Sequence, residues 1–367
     1  MTHIAAWKAH GVVYIVGDTA TTLLSPTPEQ VAKLSRESTS FSERNISEPT
    51  KLVFEGTLKI INLGQLVVAF AGDIDTANCM VEAICDHLRD QQTPRAAFER
   101  AVLGFVPISR EREVALIAAY PSEDKSTLLV FNESGQQHVT EVHEGHLTQI
   151  GNLPELERSF TRHFLKSTYF IQEEPSRILI TAMAAMQSYG LRSTLLENGV
   201  GGTFTGVYVD ADGVSWHEDV LIMLVDTAET PSGLITIAVR GNALISQSSR
   251  ERTTRVFANL ASCGPLESWM SNWSAVYDNL ALAAELRYAV ALPILQPTVL
   301  ICDLAKPGVE SHLRIHRLPP ESPDEACRFE LWTSQLFRNA VDHQPPLPSA
   351  VFGLQFFWFP PDAHSPN

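Results

Sequence analysis

The second residue of the chain can do chemistry without help from any other side chain. A threonine exposed by removal of Met1 carries a hydroxyl within reach of its own α-amine. That amine, with a pKa of about 7.7 to 8.0, is largely neutral at cellular pH and can take the hydroxyl's proton, so one residue supplies nucleophile and base. Methionine is removed when the next residue is as small as threonine, so Met1-Thr2 is expected to yield the reactive terminus without a propeptide. Many chains begin Met-Thr for no catalytic reason, and the weight of this reading rests on the residues after Thr2. The other groups of polar residues offer less. His217-Glu218-Asp219 and the pair His312 and His316 contain metal-ligand types, but no further partner lies at a suitable spacing, and they read as solvated or structural. No metal is expected.

An N-terminal nucleophile must be held by strands that begin at the first residue. Thr2 to Trp7 and Gly11 to Val16 are apolar, aromatic and β-branched around a polar turn, a hairpin pattern. A polar stretch, residues 25–50, reads as an insertion with helix around Pro28 to Arg36. Leu52 to Phe54, Leu58 to Ile61 and Gln65 to Ala71 return to strands. After Gly72 the apolar period changes from two to that of a helix: Ala77, Met80, Val81, Ile84, Cys85 and Leu88 fall on one face. Pro94 opens a second helix. Val114 to Ala119, Ser126 to Phe131 and Gln136 to Val142 predict a meander. Helices are predicted over Leu153 to Leu165 and Ser176 to Tyr189, and strands over Thr203 to Val209, Val214 to Trp216 and Leu221 to Val225. Strands, two helices, strands, two helices and strands suit an α+β fold of two antiparallel sheets between helical layers.

With these residues in view, the chain resembles the proteasome β-subunit family, and especially the peptidase subunit of the bacterial two-component proteasome-like protease. The resemblance rests on the run Thr2 to Trp7 followed by Gly11 to Thr22, with Gly17-Asp18-Thr19-Ala20-Thr21-Thr22 at the family's distance from the threonine, and on Phe70-Ala71-Gly72-Asp73. It implies a four-layer αββα sandwich of N-terminal-nucleophile hydrolase type over residues 2–226. It further implies that Asp18 holds a catalytic lysine, with Lys59 the candidate and Lys51 the alternative, and that Gly72 supplies an oxyanion-binding N–H. Thr22 would bind the substrate backbone, and Phe70 and Ile74 would wall the pocket for the residue before the cut. Asn152 stands where the family has a serine, Glu197 where it has an aspartate, and Val200 at a second serine. The implied activity is hydrolysis of peptide bonds by Thr2 inside a homo-oligomeric ring served by an ATP-dependent unfoldase, with no cofactor. A small amide is an alternative substrate. The Asn152 and Val200 departures keep open a scaffold or binding protein whose site has decayed.

Residues 227–367 carry no motif and are expected to form an additional α/β region. Strands are predicted at Leu234 to Val239, Thr298 to Cys302 and His312 to Ile315, and helices at Leu266 to Val290 and Pro323 to Val341. An aromatic tail, Val351 to Phe359, is expected to pack into that region's core. The formal charge of -15 argues against a surface for phosphate backbones or anionic lipid. Five cysteines without metal-ligand spacing, no signal-peptide pattern and no apolar run of membrane-spanning length predict a cytoplasmic protein with reduced thiols.

Overall fold

The computed structural model describes residues 2–34, 39–41, 47–48, 51–123, 125–131, 138–151, 153–167, 174–192, 196, 199–226, 231–249, 253–258, 286–293, 298–318, 328–341 and 351–355. The chain divides into two compact units. The first holds Met1–Glu218 with Ala238–Ser246 and Thr254–Ala284; the second holds Asp219–Ile237, Gln247–Thr253 and Glu285–Asn367.

In chain order the first unit contains β1 (His3–Ala9), β2 (Val12–Gly17), β3 (Ala20–Leu24), α1 (Pro28–Leu34), β4 (Ser47–Glu48), β5 (Lys51–Glu55), β6 (Ile60–Asn62) and β7 (Val67–Ala71). It continues with α2 (Ile74–Arg89), α3 (Pro94–Gly104), α4 (Val106–Glu111), β8 (Ala115–Ser122), β9 (Lys125–Phe131), β10 (Val139–Val142), β11 (Leu147–Gly151), α5 (Glu155–Ser167), α6 (Pro175–Arg192), β12 (Thr205–Val209) and β13 (Val214–Trp216). Two five-stranded antiparallel sheets result, in the orders β11-β1-β2-β12-β13 and β10-β9-β8-β7-β6. The first hairpin closes through His10 and Gly11, both with positive φ, the two-residue turn whose twist matches its strands.

Period-two alternation explains why β7 is buried on both sides. Val67, Ala69 and Ala71 share an apolar core with Ile4, Ala6, Val13, Ile15 and Val207 of the other sheet. Val68 and Phe70 point the opposite way, into a core with Ala77, Met80, Val81 and Ile84 of α2 and Phe98 and Val102 of α3. Each such aliphatic side chain contributes roughly 1.5–3 kcal/mol when fully buried. On the first sheet, α6 packs against β2 and β12, and α5 against β11. The fold of this unit is α+β, with the two sheets sharing one core and α2 and α3 packed on the other face of the second sheet.

The second unit is built on β14 (Val220–Val225), which is buried along its whole length. It pairs antiparallel with β15 (Pro231–Arg240) and parallel with β18 (Tyr288–Pro293). Next come β19 (Thr298–Asp303) and β22 (Val351–Gln355), both antiparallel. Within this unit the strands run in the order β15-β14-β18-β19-β22, while β16 (Ala243–Ser248) and β17 (Thr253–Ala258) fall mostly in the segments of the first unit. The hairpin β20 (Leu313–Leu318) and β21 (Arg328–Thr333) and the helix α7 (Gln335–Val341) complete the second unit. Leu221, Met223, Ala289, Leu300, Leu313 and Phe337 make its core.

Several expectations are corrected in this region. The helix predicted to run to Val290 ends in strand residues from Tyr288 on, because two-sided burial of YAVALP in a sheet gives the same unbroken apolar run as a buried helix. The rest of that prediction, residues 266–285, lies outside the described residues. The helix predicted from Pro323 is a strand over Arg328–Thr333 and a helix only over Gln335–Val341. The aromatic tail enters the sheet as β22, paired with β19 from Thr298↔Gln355 to Cys302↔Val351; residues 356–359 lie outside the described ones. Cys85, expected as a free thiol, is disulfide-bonded, whereas Cys79 and Cys302 are free. Chain spacing does not reveal which thiols meet in space.

Candidate active site

The β1–β2 ladder brings the start of the chain onto Asp18. His3 donates its N–H to Asp18 Oδ1 at 3.1 Å, and the Asp18 N–H points back at the His3 carbonyl at 3.4 Å. Thr2 is therefore the next residue past the Asp18 rung, and it is buried. Strand alternation puts it on the face of Ile4 and Ala6, the face turned to the second sheet.

Lys59 reaches the same carboxylate. Its Nζ lies 2.8 Å from Asp18 Oδ1, with exposures of 1% for the lysine and 0% for the aspartate, and it also donates to the Ala20 carbonyl. Asp18 Oδ2 accepts the Gly201 N–H at 3.0 Å. Burial pushes the Lys59 ammonium below its ordinary range, and Asp18 opposes that shift by charge and hydrogen bond. Lys59 directly precedes β6, and its carbonyl accepts the Phe70 N–H, which ties it to β7. The alternative, Lys51, sits on β5 in the rung opposite Leu24. The structure places Lys59, rather than Lys51, on Asp18.

Two glycines shape the approaches to these residues. Gly72 joins the end of β7 to Asp73, the N-cap of α2, which accepts from the Thr76 N–H at 3.0 Å and from its hydroxyl at 2.6 Å. The Thr76 hydroxyl holds the Asp73 carboxyl below its usual range. Gly72 itself has φ +108, and a Cβ there would stand 2.4 Å from the Glu113 carbonyl oxygen, so no other residue fits. Gly151, opposite His3 in the β1–β11 register, has φ +106, and a Cβ on it would come within 1.7 Å of the Thr2 carbonyl oxygen. Arg158 of α5 secures this strand end by donating to the carbonyls of Gln149 at 2.9 Å and Gly151 at 2.7 Å. On the face turned from Thr2, the His3 ring is fully buried, with the Gln149 side chain beside it. Burial first, and then the Arg158 charge, lowers its pKa to about 3, so the ring is neutral at cellular pH.

The remaining expected residues divide. Phe70 and Ile74 lie in and against one apolar cluster between the second sheet and α2. Thr22 is on β3, and its hydroxyl is buried with no hydrogen-bond partner. Val200 is fully buried. Asn152 and Glu197 lie outside the described residues.

A second buried carboxylate lies behind the Asp18–Lys59 pair and was not anticipated from sequence. Glu55 accepts from the Thr19 hydroxyl at 3.0 Å, from the Ser40 N–H and hydroxyl at 2.7 Å each, and from the Thr203 N–H at 2.6 Å. Arg255 Nε stands 3.9 Å from Glu55 Oε2, the oxygen that also accepts from Ser40. Gln187 of α6 grips the same turn with its amide, donating to the Gly202 carbonyl at 2.9 Å and accepting from the Phe204 N–H at 3.1 Å. Together they fix residues 201–204, so that the Gly201 N–H meets Asp18. The available signal was a lone glutamate ending an apolar strand, Leu52 to Glu55; nothing in the sequence links it to Arg255.

His217, one of the metal-ligand types in the sequence, has its ring nitrogens on the Glu218 carbonyl at 2.7 Å and the Thr205 hydroxyl at 3.0 Å. Among the described residues no group of three or more His, Cys, Asp or Glu is arranged to hold a metal ion, and no helix is long and apolar enough to cross a membrane.

No protein-family profile matches the chain, and no curated protein matches it. Among solved structures it is similar to the Anbu (Gly-1) mutant from Hyphomicrobium sp. strain MC1, at 15% identity and a TM-score of 0.40, over 57% of this chain and 82% of that one. A likeness at that level carries no argument about function, which is left to the residues.

Proposed function

We propose that residues 2–226 form a four-layer N-terminal-nucleophile hydrolase domain in which Thr2, freed of Met1, cleaves amide bonds, residues 227–367 being an extension. The observation that carries this reading is the Asp18–Lys59 ion pair, shut away from water one rung from Thr2. Desolvating two charges costs several kcal/mol each in effective terms, and a pair kept at a strand end beside a potential nucleophile supports a chemical role.

In the proposed reaction the Thr2 amine accepts the hydroxyl proton as Oγ attacks the amide carbonyl. The Lys59 ammonium favours the neutral amine and stabilises charge developing on Oγ, and Asp18 keeps that ammonium in place. The Gly72 N–H, just before the start of α2, is assigned to the oxyanion, where the helix's partial positive charge adds to it. Collapse breaks the C–N bond, the protonated amine gives its proton to the leaving nitrogen, and an ester remains on Thr2. Water, deprotonated by the same amine, then hydrolyses the ester and restores the hydroxyl. Each step uses only this chain's groups and water. Ile74, at the start of α2 close to Gly72, is assigned to a narrow apolar side chain before the cut, whereas Phe70 is enclosed in the core on the α2 side. Thr22, Asn152 and Glu197 are assigned to the substrate backbone and the amine. A cytoplasmic homo-oligomer that receives peptide or protein from an ATP-dependent unfoldase is part of the proposal.

Val200 favours a second reading. Its buried apolar side chain stands where a polar partner for the threonine is expected, as in a binding scaffold that has lost activity. Hydrolysis of fluorogenic peptide amides by the purified protein and by Thr2→Ala separates the two. Turnover in the wild type that Thr2→Ala abolishes supports the hydrolase, turnover that survives Thr2→Ala sinks the mechanism, and no turnover in either favours the scaffold.

A further inference from the structure

The segment that carries Lys59 is hydrogen-bonded at one end by an asparagine and faced by an arginine at the other, both from far along the chain. Four residues before Lys59, Glu55 faces the Arg255 guanidinium at 3.9 Å. Three residues after it, the carboxamide of Asn242 bonds both backbone groups of Asn62. The Asn62 N–H donates to Asn242 Oδ1 at 2.8 Å, and Asn242 Nδ2 donates to the Asn62 carbonyl at 2.9 Å. One side chain thus takes the place of a rung from a neighbouring strand on β6. Asn242 lies in the turn between β15 and β16, and Arg255 on β17. Both belong to segments, Ala238–Ser246 and Thr254–Ala284, that group with Met1–Glu218 in the first compact unit.

These contacts bear on Lys59 for a geometric reason. Its Nζ is held by Asp18 and the Ala20 carbonyl with a side-chain exposure of 1%, and a charged hydrogen bond weakens steeply over a few tenths of an ångström. The backbone that delivers it is short: β6 has three residues and pairs with β7 only from Ile60 to Asn62. Glu55 would also be a buried carboxylate facing only neutral donors if Arg255 were absent.

We propose that Asn242 and Arg255 are positioning residues for Lys59, so that the region beyond residue 237 completes the site rather than merely following it. This deepens the hydrolase reading and rests on it for the role of Lys59, but the positioning itself can be tested without catalysis. Reductive methylation of the folded full-length protein with labelled formaldehyde, read by peptide mass spectrometry, reports the accessibility of Lys59 against the exposed Lys166 in the same sample. In an Asn242→Ala/Arg255→Met double variant the Lys59 to Lys166 ratio is expected to rise at least tenfold, and Arg255→Lys alone is expected to stay within threefold of the wild type. The acid limb of acylation by a threonine-directed β-lactone is expected to move up by half a pH unit or more in the double variant, because the amine loses a nearby positive charge. A mere loss of stability would not move that midpoint.

An unchanged Lys59 ratio, within twofold, in a double variant with the wild-type circular dichroism spectrum overturns the proposal. If the double variant does not fold, Asn242→Ala alone carries the test, with a threefold rise expected and an unchanged ratio again overturning it. A wild-type protein inert to the lactone counts against the hydrolase reading, and the methylation ratio still judges the positioning.

Discussion

The two units bury ion pairs in different ways. In the first unit, Asp18 and Lys59 have side-chain exposures of 0% and 1%, and the aspartate also accepts the His3 and Gly201 N–H groups. In the second, Asp303 is equally enclosed, but its partner Arg287 is 32% exposed and lies against the Tyr288 ring. An arginine that keeps water on one side ties β18 to the end of β19 at little desolvation cost. A lysine exposed by only 1% is costly, and stability alone does not explain it. Surroundings separate them further, since Thr2, Thr19, Glu55 and Thr203 are buried near the first pair. The second unit has a smaller apolar core and no such gathering of polar groups among its described residues.

Breaking each pair tests this contrast most strongly. Asp18→Asn is expected to cost about 3–5 kcal/mol in urea unfolding, the effect of stranding the buried Lys59 charge, whereas Asp303→Asn, which leaves the partly exposed Arg287, is expected to cost about 1 kcal/mol. Equal losses would erase the distinction. Gly72→Ala is next, at roughly 2–4 kcal/mol, because a left-handed alanine is strained and its Cβ meets the Glu113 carbonyl. A stability unchanged by that substitution would mean that the strand-to-helix junction is not built as described.

The next effect depends on pH and is the smaller over any single pH unit. The folded state holds His3 neutral down to about pH 3, while the unfolded chain protonates it near its ordinary value of 6.5. Between those values the unfolded state binds the extra proton, so stability is complete above about pH 6.5 and falls on acidification toward pH 3. The slope from this residue is about 1.4 kcal/mol per pH unit. His3→Gln, which cannot titrate, is expected to flatten the stability profile by about one proton across that window. An unchanged profile would place the acid sensitivity elsewhere.

How much of this was legible in the sequence depended on distance along the chain. The β1–β2 hairpin, β7 and α2 followed from local periodicity, whereas Asp18 could be named only through the family resemblance, by its distance from Thr2. Lys59 was reachable only through its spacing to Gly72, across an insertion, and Lys51 remained an alternative until the ladder showed it opposite Leu24. Glu55 was missed because its partners Thr19, Ser40, Thr203 and Arg255 come from four separate segments, and no local pattern joins them. In the C-terminal region β18 passed for the end of a helix because a doubly buried strand has no alternation to reveal it. The parallel pairing of β14 with β18 had no local signature either.

Thr2 is the residue on which the proposed function stands, and its substitution is expected to have the smallest effect on folding, with Thr2→Ala changing stability by less than about 1 kcal/mol. The most direct measurement is the mass of the intact protein before and after exposure to a threonine-directed β-lactone, with the adduct located by peptide mapping. A chain lacking Met1 that gains one lactone on Thr2 is expected, with no adduct in Thr2→Ala. A retained Met1, or an adduct elsewhere that persists in Thr2→Ala, would rule out Thr2 as the nucleophile.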